Sequence, residues 1–168
     1  MKLTSIAAAA ALLFALSGQS MAAPLAAPTG PVVLEVTGAI ANTNNGAAAD
    51  FDFAMLDALA SGETKTSTPW YDGAKSFSGP LGSALLDAVG ASGTTMVVTA
   101  INDYVTEIPV ADFRSYPVLL ATRIDGELMS VRDKGPIFVI YPFDASPELN
   151  NETYYGRSAW QVKSIEIK

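Results

Sequence analysis

The sequence predicts an α+β domain built on a mixed, largely antiparallel sheet with short outer helices. Segments rich in β-branched residues outnumber the segments with helical spacing, and those helical segments are short. Strand and helix patterns do not alternate strictly along the chain, which disfavours a doubly wound parallel sheet. No internal repeat is visible in the sequence.

Residues 1–22 form a pattern typical of a secretory signal peptide. A lysine stands near the start, residues 6–16 are apolar, and Ala22 ends a small-residue cleavage sequence. The apolar run is about half of the roughly 20 residues that a membrane-spanning helix needs. We therefore expect export with cleavage near Ala22, a flexible leader over residues 23–31, and a single domain over residues 32–168.

The domain is predicted to begin with a strand, a loop and a helix. Residues 31–37 have the β-branched density of a strand, and the polar residues 42–49 form a loop. Asp50 or Asp52 is suited to cap a helix that continues to about Ala60 with apolar residues at helical spacing.

The middle of the chain predicts a hairpin flanked by helices. Residues 63–68 alternate with threonine as a short strand does, and residues 81–89 have helical spacing before two glycines. Residues 94–101 and 105–109 are both rich in β-branched side chains and flank a polar turn, so a hairpin is the simplest interpretation. A helical turn is expected over residues 110–114.

The last part of the chain predicts three further strands. Residues 118–123 precede the tight turn at Asp125-Gly126, and residues 137–141 have the pattern of a buried strand. Residues 160–167 alternate as a closing strand does, and we assign Trp160 to the core.

Charge and composition exclude several classes of function. Without the predicted signal peptide, nine Lys and Arg stand against seventeen Asp and Glu, hence a net charge of −8. An acidic surface argues against binding to nucleic acid or anionic lipid. The sequence has no cysteine and no histidine, which removes disulfides, Cys-His and Ser-His-Asp catalysis and most zinc sites.

An ordered set of short motifs resembles the sulfite-oxidase-type molybdopterin-binding fold family over about residues 34–167. Residues 120–142 carry the motifs LA, DG, GP and YP of its substrate-facing core, and residues 77–81 read FSGPL. Asn102-Asp103-Tyr104 is similar to a DGY hairpin motif, and residues 158–166 are similar to its closing strand. The resemblance implies a sulfite-oxidase-like fold with a pterin-shaped pocket.

The sequence departs from that family at the metal ligand. Enzymes of this family hold molybdenum through a cysteine thiolate, and the matching stretch here is residues 66–70, which read TSTPW. A hydroxyl stays protonated near neutral pH and is a poor substitute for a thiolate. The histidines that grip the cofactor phosphate in those enzymes are missing as well. We therefore expect no molybdenum and no catalysis, with a pterin as ligand.

A pterin ring needs aromatic faces, an acceptor for its two-donor edge and cations for its own acceptor atoms. The charged run Arg132-Asp133-Lys134 corresponds by resemblance to the loop that lines the cofactor pocket, although its charges also fit a solvated loop in which they pair with one another. The predicted ligand-binding residues are Trp70, Tyr104, Arg123, Arg132, Asp133, Lys134 and Tyr141. Tyr71, Asp72 and Asp103 are further candidates, and residues 154–157 are a candidate lid.

Small stand-alone proteins of this type resemble the periplasmic pterin receptors that act with membrane-bound cyclic-di-GMP enzymes. The resemblance implies a periplasmic protein whose partner is the periplasmic domain of an inner-membrane signalling protein. Two alternatives remain open. One is a molybdopterin-dependent oxidoreductase that lacks the cysteine ligand, and the other is an interaction module whose pocket is vestigial.

Overall fold

A computed structural model describes residues 25–168 as three small sheets surrounded by short helices. The predicted signal peptide lies outside the described residues. The strands are β1 Leu34–Gly38, β2 Ala49–Phe51, β3 Ser61–Thr68, β4 Tyr71–Pro80, β5 Thr95–Ala100, β6 Val105–Pro109, β7 Leu119–Ala121, β8 Arg123–Ile124, β9 Glu127–Leu128, β10 Phe138–Ile140 and β11 Val162–Ile167. The helices are α1 Phe53–Asp57, α2 Gly82–Ala88, α3 Val110–Ser115 and α4 Glu152–Arg157, with 3-10 turns at Val131–Asp133 and Pro147–Leu149.

The largest sheet has the order β2-β1-β11-β5-β6 and places the C-terminal strand at its centre. The pair β1–β11 is parallel, and the other strand pairs of the described residues are antiparallel. A second sheet has the order β3-β4-β8-β9, and β7 pairs with β10. The predicted α+β class with a mixed, largely antiparallel sheet and short helices is therefore confirmed.

Two hydrophobic clusters form the interior. The larger one lies against the five-stranded sheet, where Met96, Val98 and Ala100 alternate inward along β5. The smaller one is aromatic and gathers Phe77 and Phe138 between the second sheet and the pair β7–β10. Trp70 packs against both clusters, so the turn between β3 and β4 connects them.

Most predicted elements are present, but the strands β2, β4 and β9 and the helix α4 were missed. Residues 71–80 form β4, which pairs with β3 from Ser61–Pro80 to Thr68–Tyr71. The sequence gives little sign of this strand because its first half is polar and mostly exposed, without hydrophobic alternation. The predicted lid at residues 154–157 is part of α4, which begins after the capping residue Asn151.

The predicted leader is held against the domain where the structure describes it. The backbone N–H groups of Thr29 and Gly30 each donate to Asp52 Oδ2 at 2.8 Å. Asp52 Oδ1 accepts from Met55 N at 2.8 Å and caps α1, as the sequence predicts. These backbone donors, Met55 N first among them, lower the pKa of the Asp52 carboxyl. No helix within residues 25–168 is long and apolar enough to cross a membrane.

Candidate functional site

A cavity of about 330 Å³ opens between the tip of the β5–β6 hairpin, α4 and the segment that leads into β11. Its volume falls in the range of small-molecule sites, roughly 300–1,000 Å³. The lining residues are Trp70, Ala100, Asn102, Tyr104, Glu152, Tyr155, Gly156, Ser158, Ala159 and Trp160.

Aromatic rings in fixed orientations form much of the cavity wall. The Trp70 ring meets the rings of Phe138, Trp160 and Tyr155 edge-on, at centroid distances of 5.3, 5.7 and 6.0 Å. Each edge-to-face contact contributes roughly 0.5–1.5 kcal/mol beyond its buried area. The Tyr155 hydroxyl also donates to Asn150 Oδ1, which fixes the tyrosine in turn. The cavity therefore offers a preorganised aromatic surface.

Helix α4 supplies one wall and is anchored at both ends. Asn151 Oδ1 accepts from Thr153 N at 3.0 Å and caps the N-terminus. In the last turn Arg157 donates to Asp112 Oδ2 at 2.9 Å, and the Tyr141 hydroxyl donates to the same oxygen at 2.7 Å. Burial, reinforced by the Asp112 hydrogen bond, raises the pKa of Tyr141 well above its usual value. Tyr141 therefore remains a neutral donor.

A hydrogen bond links the hairpin to α4 beside the cavity. The Tyr104 hydroxyl donates to the Gly156 carbonyl oxygen at 3.0 Å, and both residues line the cavity. Tyr104 is 48% exposed, and its apolar neighbours Ile101 and Val105 are 45% and 52% exposed. The cavity thus lies next to an exposed apolar rim.

The structure brings two of the predicted ligand-binding residues, Trp70 and Tyr104, to the cavity. Lys134 does not line the cavity, but it contacts the lining residue Trp160: the Lys134 Nζ lies 5.3 Å from the centroids of the Tyr71 and Trp160 rings. The neighbouring Asp133 accepts from the Ser130 hydroxyl at 2.6 Å, and Arg132 is exposed on the same 3-10 turn. The charged run therefore borders the aromatic wall without lining the cavity.

Other predicted residues lie elsewhere. Tyr141 is completely buried, so its ring has no free face for a ligand and does not line the cavity. Arg123 forms a two-point ion pair with Asp57 at 2.7 and 2.9 Å, and this pair lowers the pKa of the Asp57 carboxyl. Asp103 pairs with Lys163 at 2.7 Å. Tyr71 packs under Lys134.

The candidate lid at residues 154–157 includes two cavity residues, Tyr155 and Gly156, whereas Glu152 was not predicted as a site residue. Glu152, Tyr155 and Gly156 have the spacing i, i+3, i+4 and share one helix face. The capping signal at Asn151 followed by this spacing would have grouped them. Trp160 was assigned to the core, but it is only half-buried and lines the cavity, because β11 begins two residues after it.

The loop that resembles the metal-ligand stretch offers no suitable donors. Ser67 N donates to Asp144 Oδ2 at 2.8 Å, and Asp144 N donates to the buried Thr66 Oγ1 at 3.0 Å. Within residues 25–168 no group of three or more acidic side chains is placed to hold a metal ion. These hydroxyl and single-carboxylate donors do not fit a site that takes its metal through a thiolate.

The fold and the site together define an α+β domain with an aromatic cavity at one end of its main sheet. No family model matches the chain, and no curated protein matches it. Among solved structures, the sulfane dehydrogenase SoxCD from Paracoccus pantotrophus is similar, with a TM-score of 0.55 and 14% sequence identity. The match covers 80% of this chain and 37% of the SoxCD chain. At this identity the likeness shows the fold alone, and it supports a sulfite-oxidase-like fold.

Proposed function

We propose that this chain is a periplasmic, non-catalytic pterin-binding protein that signals to the periplasmic domain of an inner-membrane protein, such as a cyclic-di-GMP enzyme. The observation that carries the proposal is the preorganised aromatic cavity walled by Trp70, Tyr104, Tyr155 and Trp160. A flat heterocycle gains about 1 kcal/mol from each well-placed aromatic contact. The rings already hold one another, so little side-chain entropy is lost on binding.

A receptor role fits this site better than a redox role. Molybdenum chemistry in this fold family depends on a thiolate ligand, and the corresponding loop carries Thr66 and Ser67, which are bonded to Asp144. The charged side chains around the cavity are also largely engaged with one another, as in the Arg157–Asp112 pair. The proposed ligand is therefore a pterin without molybdenum.

The exposed rim favours a protein partner close to the ligand. Ile101, Tyr104 and Val105 form an apolar patch at the hairpin tip, and Tyr104 also lines the cavity. A ligand that moves Tyr104 changes this surface directly. By linkage, a partner that prefers the loaded form tightens pterin binding by the same factor.

The first experiment is a search for bound ligand, followed by titration. The mature protein is purified and denatured, and the released material is examined by absorbance and fluorescence for a pterin and by metal analysis for molybdenum. Neopterin-like pterins are then titrated, with tryptophan fluorescence as the signal, because Trp70 and Trp160 both line the cavity.

Trp70→Ala is expected to weaken binding by about fivefold, since the contact with one aromatic ring, about 1 kcal/mol, is lost. Val32→Ala, an exposed change in the N-terminal segment, serves as the control and is expected to bind normally. Absence of pterin binding by the folded protein would overturn the proposal. Molybdenum at a stoichiometric level would favour the oxidoreductase.

A further inference from the structure

Glu152 is the charged side chain of the cavity wall. Of the lining residues in the described part of the chain, none of the others is Asp, Glu, Lys or Arg. The ion pairs found within residues 25–168 do not include Glu152. Its carboxylate is therefore available to a ligand.

Neighbouring carboxylates already form hydrogen bonds or ion pairs within the protein. Asp112 accepts hydrogen bonds from Tyr141 and Arg157, and Asp103 pairs with Lys163. Asp133 accepts from the Ser130 hydroxyl. A ligand in the cavity that presents N–H donors thus meets the side chain of Glu152 as its carboxyl acceptor.

The helix positions this acceptor beside the aromatic wall. Glu152 is the first residue of α4, and Tyr155 follows on the same face. The Asn151 cap and the Arg157–Asp112 ion pair fix the two ends of the helix. A flat ring that stacks in the cavity therefore presents an edge to a carboxylate whose backbone is held in place.

The chemistry of a carboxylate selects among ring edges. Its two oxygens accept two parallel N–H donors, and such charge-assisted pairs are roughly twice as strong as neutral hydrogen bonds. A 2-amino-4-oxo pyrimidine edge supplies an adjacent amino group and ring N–H. A 2,4-dioxo edge instead places carbonyl oxygens on either side of one N–H. One carboxylate oxygen then accepts from this N–H, while the other faces a ring carbonyl oxygen and stays unpaired.

We propose that Glu152 determines the ligand class of the cavity by accepting the paired N–H donors of a 2-amino-4-oxo ring. The inference rests on the proposed pterin-binding function and specifies which edge of the ring the protein reads. Sites that pair every donor of the correct ligand reject analogues that leave a polar group unpaired. Because Glu152 is exposed, we expect at least a tenfold preference, well below the limit for a buried site.

The test compares two ligands of equal shape, 2-amino-4-oxopteridine and 2,4-dioxopteridine, by fluorescence titration at a pH where both are neutral. The wild-type protein is expected to bind the amino-oxo ring at least tenfold more tightly. In Glu152→Gln the ratio of the two affinities is expected to fall at least fivefold, because an amide offers one donor and one acceptor. Glu127→Gln removes the same charge from the exposed β9 and is expected to leave the ratio unchanged.

The outcomes separate the two proposals. If the wild-type protein binds the amino-oxo ring but Glu152→Gln keeps the same ratio, the inference about Glu152 is overturned and the pterin-binding function stands. If the wild-type protein binds neither ring, both are overturned. A purely structural role of Glu152 in α4 would change both affinities equally and leave their ratio constant. Thermal unfolding of each variant verifies that it is folded.

Discussion

Replacement of Arg157 by methionine is expected to destabilise the protein by about 2–3 kcal/mol. The guanidinium donates to Asp112 at 2.9 Å, and the two side chains are only 24% and 11% exposed. Loss of one partner from a buried ion pair costs roughly 3–5 kcal/mol, because the other charge stays desolvated. The expected loss of about 2–3 kcal/mol lies at or below the lower end of that range, because Asp112 keeps the hydrogen bond from Tyr141 and methionine retains part of the packing of the arginine stem.

Urea denaturation followed by circular dichroism measures the effect. With a slope of roughly 2 kcal/mol per molar urea, the midpoint is expected to fall by about 1 M. The matched control is Arg114→Met: Arg114 forms an equally short pair with Asp87, at 2.8 Å, but the side chains are 44% and 67% exposed. An exposed pair contributes at most about 1 kcal/mol, so the control is expected to change little.

Equal midpoints for Arg157→Met and Arg114→Met would refute the reasoning, since the larger loss is expected from the greater burial of the Arg157–Asp112 pair. A double-mutant cycle with Asp112→Asn sharpens the result, and a coupling energy of about 1–3 kcal/mol is expected for two residues in direct contact. Because Arg157 anchors the helix that carries Glu152 and Tyr155, the same variant is also expected to weaken pterin binding.

Three further predictions concern the Tyr104–Gly156 hydrogen bond beside the cavity, the N-terminal segment and two helical glycines. Tyr104→Phe removes the bond to the Gly156 carbonyl, so stopped-flow measurements are expected to show faster ligand release with less than about 1 kcal/mol lost from stability. The pKa of the Asp52 carboxyl is lowered in the folded state, so its stabilisation is present above the unfolded-state pKa and is lost as the pH falls through the folded-state pKa. Asp52→Asn is therefore expected to lower the urea midpoint at neutral pH. The difference between the variant and the wild-type protein is expected to shrink in acid. Gly82→Ala is expected to destabilise the protein because the new methyl group collides with the buried Phe113 ring, whereas Gly156→Ala meets no atom within 4 Å and is expected to raise stability by up to about 1 kcal/mol in thermal unfolding.

The main sheet could be predicted largely from hydrophobic pattern and turn chemistry. The β5–β6 hairpin is present, with Asp103 in the left-handed conformation that its turn requires. In β4, by contrast, strand formation depends on pairing with β3 across a mostly exposed surface. Local sequence carries little information about the exposed first half of this strand, because cross-strand hydrogen bonds rather than hydrophobic burial hold it there.

The site was predictable only in part, for a similar reason. Trp70 and Tyr104 stand in turns, where a large aromatic residue signals a surface role, and both line the cavity. Arg123 and Tyr141 had equally suitable chemistry, but each is engaged by a residue distant in the chain, Asp57 and Asp112 respectively. A sequence shows which groups are able to bind a ligand, whereas only the fold shows which of them are already satisfied.

The same distinction bears on the loop that resembles a metal-ligand stretch. Here Asp144 bridges the loop through Ser67 N and through its own N–H to Thr66, so these two groups are paired within the protein, whereas the buried Thr68 Oγ1 has no hydrogen-bond partner within residues 25–168. The adjoining Trp70 is held by other aromatic rings. The Asp144 hydrogen bonds and the neighbouring rings therefore hold the tryptophan turn, and with it one aromatic wall of the cavity, through contacts within the protein.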